Sequence, residues 1–277
     1  WPTRLDDVDG SPPLLYAQGP AHPAPGRRRL AVVGTRRLES ALSRPFRALA
    51  RSIAAAGVGV VSGGALGCDQ LAHDGALAAG GETWCVLGSA LDEVDAAQRD
   101  LVARLLAAGQ TLLSQFPPGC RSSPRSFVPR NALISALADA VLVLRAPERS
   151  GALHTAAFAR AQGRAVLVTP GDFWSPTAAG SNALLRAGAT PVQSVEDVLE
   201  VLGVSGGRSP REVPPFEPGG LSPAARQVYG ALVGPTDFDE LTTLVRGLTP
   251  AAVAAALVEL EVCGGVNHLG SRRYEKR

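Results

Sequence analysis

Two apolar runs, each ending in a turn of small residues just before a helical pattern, constrain this chain more than any other feature. The first, residues 31–33, opens onto Gly34-Thr35-Arg36, and the second, residues 58–61, opens onto the glycine-rich stretch 62–69. Helix N-termini at one edge of a sheet present unpaired N–H groups and positive dipole ends, which bind phosphate. The sequence therefore predicts a site for a phosphate-bearing ligand at this edge.

From Arg29 to Leu202 the pattern alternates between apolar strands and amphipathic helices. The strands are apolar at nearly every position, which is typical of a parallel sheet with helices on both faces. We predict an α/β fold, Rossmann-like and doubly wound around a mostly parallel sheet. The predicted strands are 30–33, 58–61, 83–87, 111–114, 140–144, 165–168 and 190–192. The predicted helices are 40–56, 68–79, 94–107, 130–137, 151–162, 181–187 and 195–202.

The segments that flank this 29–202 domain are predicted from their composition and from helix-start signals. Residues 1–28, rich in proline, glycine and alanine, are predicted to be an irregular lead-in, and residues 203–220 a linker. Ser222 and Pro223 then provide an N-cap and a first helical residue. A small winged-helix-like domain is predicted for 221–277, with helices at 223–232, 237–245 and 250–262 followed by a hairpin.

Composition limits the classes of protein that this chain could represent. Hydrophobic residues make up 45% of the 277, which is enough for a substantial core, and a net charge of +2 does not by itself indicate nucleic-acid binding. The four cysteines lack the spacing of a zinc site or disulfide framework, and no apolar run reaches about 18 residues. We expect a cytoplasmic protein without a membrane span, metal or cofactor. Because the sequence contains no methionine, we also expect a processed or truncated product.

The two turns differ in the chemistry that they offer. The first is predicted to be a phosphate clamp rather than a plain strand–helix turn, because a plain turn does not need the fixed charge of Arg36. In the second, Gly63 and Gly64 allow the backbone to approach a ligand closely. It lacks both the Gly-x-Gly-x-x-Gly fingerprint and the Walker lysine. Asp69 and His73 then share a helix face; they could form a catalytic pair, but we favour a capping Asp that orients the histidine.

A third candidate stretch surrounds Phe127, which stands among Arg121, Arg125 and Arg130 after a proline-containing loop. An aromatic ring for stacking and arginines for phosphates suit single-stranded nucleic acid. The alternative is that Phe127 is a hydrophobic staple for the next helix, and the pattern alone favours neither. Further strand-end loops that we predict at the same edge are 148–153, 169–172 and 180–185.

Taken in order, these motifs resemble the DNA-processing protein A family, also called DprA or Smf, from about residue 10 to residue 202. The first two matching motifs are Val-Val-Gly34-Thr35-Arg36 and Val-Ser62-Gly63-Gly64-Ala65-x-Gly67-x-Asp69-x-x-Ala-His73. The later ones are Leu-Ser114-Gln115-Phe116-Pro117-Pro118-Gly119, Arg130-Asn131-x-x-Ile134-Ser135-x-Leu137, Glu148-Arg149-Ser150-Gly151, Pro170-Gly171 and Gly180-Ser181-Asn182-x-Leu184-Leu185-x-x-Gly188-Ala189. The departures from the family pattern are Thr35 for serine, the shifted proline in Phe-Val-Pro-Arg-Asn, and Ala152 and His154.

The resemblance implies a non-enzymatic protein that binds incoming single-stranded DNA in natural transformation, protects it and loads the RecA recombinase. It also implies a homodimer formed through the Rossmann domain and an optional C-terminal winged helix that contacts duplex DNA or a protein. That module is predicted to read sequence poorly, because its third helix has no basic residue. The residues expected to bind DNA are Gly34, Thr35, Arg36, Arg37, Ser62, Gly63, Gly64, Arg121, Arg125, Phe127, Arg130 and Asn131.

Two alternatives stay open at this point. One is a Rossmann-like nucleotide hydrolase; related phosphoribohydrolases use Pro-Gly-Gly-x-Gly-Thr and a following glutamate, whereas this chain has Pro170-Gly171-Asp172. Release of base from a nucleoside monophosphate, lost on mutating Asp69 or Glu148, would favour it. The other is a nucleotide sensor with a winged-helix output, which nucleotide-dependent duplex binding would favour.

Overall fold

A computed structural model describes residues 2–6, 8, 10–20, 26–204, 221–263, 265–268 and 272–276. The chain divides into two compact units, residues 1–208 and 209–277. Most of the predicted linker, residues 205–220, lies outside the described residues.

An eight-stranded sheet, parallel except at one edge, forms the centre of the first unit. Its strands are β1 (Tyr16–Gln18), β2 (Arg29–Val33), β3 (Gly59–Ser62), β4 (Thr83–Val86), β5 (Thr111–Ser114), β6 (Ala140–Val143), β7 (Ala165–Val168) and β8 (Thr190–Pro191). They lie in the order β1-β5-β4-β3-β2-β6-β7-β8, and only β1 runs antiparallel to its neighbour. The chain order reverses at β2, because β3 to β5 extend to one side of it and β6 to β8 to the other. Ligands of open α/β sheets bind at the carboxyl ends of the strands where the order reverses.

Helices cover both faces of this sheet, which confirms the prediction made from the uniformly apolar strands. They are α1 (Ser40–Ala55), α2 (Cys68–Ala78), α3 (Arg99–Ala107), α4 (Phe127–Ala136), α5 (Gly151–Ala161), α6 (Ala179–Arg186) and α7 (Val195–Leu202). Leu30 and Val32 face one core, with α1, α2 and α7, whereas Ala31 and Val33 face the other, with α4, α5 and α6. Successive side chains of a strand alternate between faces, so both cores need apolar residues and β2 is buried throughout.

The structure corrects the sequence prediction in two places near the site and the sheet edge. The lead-in is not wholly irregular, because Tyr16–Gln18 forms the edge strand β1, and Leu5 is buried in the core. One half-buried and two exposed residues give no hydrophobic signal, so only backbone pairing reveals that strand. Helix α4 begins at Phe127 rather than at 130, with Pro129 in its first turn. Proline is tolerated there because N–H groups of the first turn have no partner within the helix.

The arginines that end the lead-in bind acidic partners at the amino ends of the strands. Arg29 Nη2 lies 2.8 Å from Glu82 Oε1, and its guanidinium lies 4.1 Å from the centre of the Trp84 ring. Asp139 accepts the backbone N–H of Arg29 at 2.7 Å and lies 2.9 Å from Arg28 Nη1. Burial would raise the pKa of Asp139, but these hydrogen bonds lower it overall. Arg28 and Arg29 therefore hold this part of the fold together through their acidic partners.

The second unit contains three helices and a three-stranded antiparallel sheet among its described residues. The elements are α8 (Pro223–Ala231), β9 (Thr236–Asp237), α9 (Phe238–Leu244), α10 (Pro250–Val262), β10 (Val266–His268) and β11 (Arg273–Lys276), with strand order β10-β11-β9. Ser222 caps α8 as predicted, accepting the N–H of Ala225 at 3.1 Å, and its hydroxyl donates to Glu259 at 2.6 Å. Helix α10 packs Val253, Leu257 and Leu260 into the core of this unit. The short strand β9 was not predicted, and the winged-helix assignment stays a prediction.

Within the described part of the chain, no helix has both the length and the apolar character needed to cross a membrane.

Candidate nucleic-acid interface

An open cavity of about 460 Å³ lies at the carboxyl ends of β2 and β6, where the strand order reverses. The loop after β2, the loop after β6 and the first turns of α4 line it. This is where the fold is expected to bind a ligand. Of the twelve residues predicted to bind DNA, the structure brings seven to the cavity: Gly34, Thr35, Arg36, Arg37, Phe127, Arg130 and Asn131.

The turn after β2 is fixed by hydrogen bonds that leave its two arginines exposed. Thr35 N–H donates to the carbonyl of Arg145 at 2.7 Å, and Thr35 Oγ1 accepts the N–H of Arg37 at 3.1 Å. A Cβ at Gly34 would lie 2.5 Å from Cys68 Sγ, so only glycine fits between β2 and α2. The exposed side chains of Arg36 and Arg37 therefore extend from a rigid backbone.

Two guanidinium groups lie near the ring of Phe127. The guanidinium carbon of Arg36 lies 5.3 Å from the centre of its ring, and that of Arg130 lies 5.4 Å from it. The half-buried ring packs on Gly88 after β4, where a Cβ would come within 2.9 Å of two ring atoms. Cations near an aromatic ring are attracted by its quadrupole. The sequence placed Phe127 among Arg121, Arg125 and Arg130, with Arg121 or Arg125 expected nearest to it. The approach of Arg36 depends on how α4 packs and could not be predicted.

Arg130 is a buried cation that the second turn holds in place. It is only 5% exposed, and a Cβ at Gly63 would lie 1.4 Å from its Nη1. Burial lowers the pKa of Arg130, and nearby Asp69 opposes that shift. Conversely, burial raises the pKa of Asp69, while the Arg130 charge and the N–H groups of Ala65 and Gly63 oppose the shift. Among the described residues, Arg130 Nε has no hydrogen-bond partner. A buried group of this kind is a candidate for binding a ligand.

Ser62, Gly63 and Gly64 lie behind the cavity rather than on its lining. Ser62 Oγ donates to the carbonyl of Val32 at 2.6 Å, and the N–H of Gly63 donates to Asp69 Oδ2 at 3.2 Å. A Cβ at Gly64 would lie 2.8 Å from Cys85 Sγ. The Ser62 hydroxyl and the Gly63 N–H are thus engaged within the chain, and Gly63 makes room for Arg130.

The remaining predicted residues differ in how close they lie to the cavity. Asn131 lines it and donates from Nδ2 to the carbonyl of Gly151 at 3.3 Å. Arg121 and Arg125 are exposed and are not part of the lining, and Arg121 Nε lies 3.3 Å from Glu93 Oε2. The two arginines closest to Phe127 are therefore Arg36 and Arg130, not the arginines of the preceding loop.

The loop after β6 adds lining residues that were predicted at this edge but not among the DNA-binding set. Arg149, Ser150 and Gly151 line the cavity, and Gly151 begins helix α5. Ser150 Oγ caps that helix by accepting the N–H of Ala152 at 3.3 Å. The cavity thus receives a further exposed arginine and the N-terminus of a helix, both of which favour an anionic ligand.

Asp69 and His73 bind different partners and do not form the catalytic pair considered above. Asp69 accepts backbone N–H groups of the second turn. His73 Nδ1 lies 2.7 Å from Thr83 Oγ1, whose own proton donates to the carbonyl of Val60. Nδ1 of His73 is therefore the donor. Burial lowers the pKa of His73 to about 3, so the ring is neutral. The expectation that Asp69 orients His73 is wrong, because the loop N–H groups take its carboxylate.

Comparisons with known proteins agree with these motifs. Residues 1–203 match the sequence model of the family described as DNA recombination-mediator protein A. A Mycobacterium tuberculosis protein named putative DNA processing protein DprA is 41% identical over 262 residues, which cover 92% of this chain and 66% of that protein. DNA processing protein DprA of Bacillus subtilis is 32% identical over 73% of this chain and 68% of its own length. This chain thus spans just under two-thirds of its Mycobacterium relative.

Two solved structures share the fold of the first unit. DNA processing protein A of Streptococcus pneumoniae aligns with a TM-score of 0.66 at 30% identity, covering 72% of this chain and 70% of that one. The Helicobacter pylori protein, whose structure is described as showing a unique single-stranded DNA binding mode, aligns with a TM-score of 0.65 at 28% identity, covering 73% and 92%. By sequence and by fold, this chain belongs to the DNA recombination-mediator protein A family, whose members carry the names DprA and Smf.

Proposed function

We propose that this chain binds single-stranded DNA without regard to sequence, protects it during natural transformation and delivers it to the RecA recombinase, without catalysing a reaction. The observation that carries the proposal is the Arg36–Phe127–Arg130 cluster at the cavity where the strand order reverses. An aromatic ring with two cations near it matches a nucleotide, which has a flat base and an anionic phosphate.

The exposure of each side chain indicates which part of the nucleotide it contacts. Arg36, Arg37 and Arg149 are exposed and can neutralise phosphates along a strand, while the half-buried ring of Phe127 offers a stacking face. The N-terminus of α5 adds backbone donors at the same cavity. Stacking is available to every base, and arginines on phosphates carry no sequence information. Binding is therefore expected to be insensitive to sequence and to weaken as salt rises.

The single-stranded DNA binding mode reported for the Helicobacter pylori relative supports this proposal, because that protein aligns with 73% of this chain. We further propose that the chain works in the cytoplasm as a homodimer formed through its first unit, so that two binding tracks lie side by side. Two tracks on one strand would raise the affinity for long DNA by increasing the effective concentration of the second site.

We propose that the second unit is a winged-helix module that contacts a protein or duplex DNA rather than reading sequence. Its three helices followed by a β-hairpin support the assignment. Helix α10, which would take the place of a recognition helix, has the sequence PAAVAAALVELEV and offers neither arginine nor lysine. A helix that reads the major groove needs arginine, asparagine or glutamine at base edges.

The proposal is tested by titrating the protein with a labelled single strand of about 30 nucleotides and with its duplex, at several salt concentrations. We expect preference for the single strand, a steep loss of affinity with salt, and no competition from millimolar mononucleotides. Displacement by mononucleotides would instead favour a nucleotide-binding enzyme or sensor. Absence of single-strand binding at low salt would overturn the proposal.

A further inference from the structure

Two large aromatic side chains are exposed on the loop that follows β7. Phe173 is 89% exposed and Trp174 is 68% exposed. Their ring centres lie 4.8 Å apart and their planes meet at 86°, an edge-to-face pair. Burying side chains of this size is favourable, so two of them in solvent on adjacent residues indicate an interaction site.

The backbone that carries this aromatic pair is braced. Asn182 holds Gly171 from both sides, accepting its N–H at 3.2 Å and donating to its carbonyl at 3.0 Å. Ser175 N–H donates to the carbonyl of Asp172 at 3.0 Å, which closes a turn with the two rings at its centre. Thr177 then binds Glu39, at the N-cap of α1. The rings are therefore presented on a fixed turn and need little ordering before they bind.

Arg145 connects this turn to the candidate interface. Its carbonyl accepts the N–H of Thr35, in the turn that carries Arg36. Its guanidinium lies under Gly171, where a Cβ would come within 1.7 Å of Nη1. The side chain is 6% exposed, and its Nε and Nη1 have no hydrogen-bond partner in the described part of the chain. The strand ends of β2 and β7 are two strand spacings apart, or about 10 Å. A DNA strand that leaves the cavity can thus reach the rings of Phe173 and Trp174.

We propose that Phe173 and Trp174 form a second base-stacking subsite for the same DNA strand that the Arg36–Phe127–Arg130 cluster holds; this inference rests on the proposed function. The polar residues Asp172, Ser175 and Thr177 beside the rings limit the apolar surface to the two aromatic side chains, whereas a stable protein interface buries about 800 Å² per partner. This favours a nucleic-acid base over a protein as the occupant. Two rings match the area of one or two bases. The carboxylate of Glu39 interacts with the charge of Arg145 and offsets it, so this subsite contributes stacking and little ionic attraction.

The test compares wild type with the double variant Phe173→Ala/Trp174→Ala on labelled thymidine oligomers of about 5 to about 30 nucleotides. We expect the double variant to bind the long oligomers at least about fivefold more weakly, with an unchanged salt slope, because each stacked base adds affinity but releases no counterions. The shortest oligomers, which fill only the cavity, are expected to bind as well as they bind wild type. Leu14→Ala, an exposed apolar change near the opposite sheet edge, is the matched control.

Trp174 also provides a direct signal. Stacking on a base should quench its fluorescence, and Trp174→Phe should remove that part of the quenching while keeping near wild-type affinity. Trp1 and Trp84 are present in both proteins, so the difference between them reports Trp174 alone. Equal binding of long oligomers by wild type and the double variant, while Phe127→Leu weakens binding, would overturn the second subsite and leave the proposed function standing. A double variant that loses self-association instead of DNA affinity would show that the rings contact a second copy. Wild type that binds no single strand would overturn both proposals.

Discussion

The guanidinium carbon of Arg36 lies 5.3 Å from the centre of the Phe127 ring, so the turn after β2 and the first residue of α4 meet over one cavity. These residues are far apart in sequence and belong to two segments that meet at the carboxyl edge of the sheet. Their approach creates an aromatic face beside an exposed charge, which suits a nucleotide of a flexible strand.

Replacing Arg36 by alanine should weaken single-strand binding roughly tenfold at low salt, because one charge-assisted contact to phosphate is lost. The slope of log affinity against log salt should fall by about 0.7, the value for one phosphate of a single strand. Titrations at four or more salt concentrations measure both quantities. Arg51→Ala, which removes an exposed arginine of α1, should leave them unchanged. An unaltered slope in folded Arg36→Ala would mean that the site lies elsewhere.

Replacing Phe127 by leucine should have a different signature. The ring face is lost but no charge is removed, so affinity should fall by about 1–3 kcal/mol while the salt slope stays the same. The comparison with Arg36→Ala separates stacking from ionic contact within one set of titrations. If Phe127→Leu changed the slope but not the low-salt affinity, the ring would be positioning the arginines rather than stacking on a base.

Replacing Gly63 by alanine tests the support behind the cluster. The new Cβ would lie 1.4 Å from Arg130 Nη1, so the guanidinium must leave its place beside Asp69. We expect a loss of about 1–3 kcal/mol in the free energy of unfolding, and weaker DNA binding although Gly63 does not line the cavity. Urea unfolding monitored by the buried Trp84 measures the first effect. Gly230→Ala, where no atom lies within 4 Å, is the control and should not lower stability.

Stability should also fall in mild acid because His73 is buried as the neutral form. Its pKa is about 3 in the folded chain and 6.5 in the reference state, so below pH 6.5 the unfolded chain binds a proton that the folded chain does not. The free energy of unfolding therefore falls as the pH falls, by about 2 kcal/mol between pH 7 and pH 5. Unfolding measured at both values should show this loss in wild type and less of it in His73→Gln. Equal losses in the two proteins would assign the acid sensitivity to other groups.

Sequence patterns predicted the sheet and the edge that carries the site, because strands buried on both faces are apolar throughout, as Leu30–Val33 shows. The patterns also placed Arg36 at a turn, because Gly34 and Thr35 mark the end of that strand. The strand at Tyr16–Gln18 could not be found in this way, because its only strong feature is backbone pairing with β5.

The site itself was predicted only in part, for a physical reason. The glycines at 63 and 64 suggested close approach to a phosphate, but what approaches Gly63 is the side chain of Arg130 from across the sheet. Local sequence does not say which side chain fills the space above a glycine. The same limit hid Arg145, whose buried guanidinium under Gly171 follows from the packing of loops after β6 and β7.

If DNA lies over Phe127, photo-crosslinking should join the two. A single strand carrying 5-iododeoxyuridine at successive positions would be bound, irradiated and mapped by mass spectrometry. We expect Phe127 to be a major crosslinked residue and Arg36→Ala to reduce its yield. Crosslinks confined to the second unit, with none on residues that line the cavity, would contradict it.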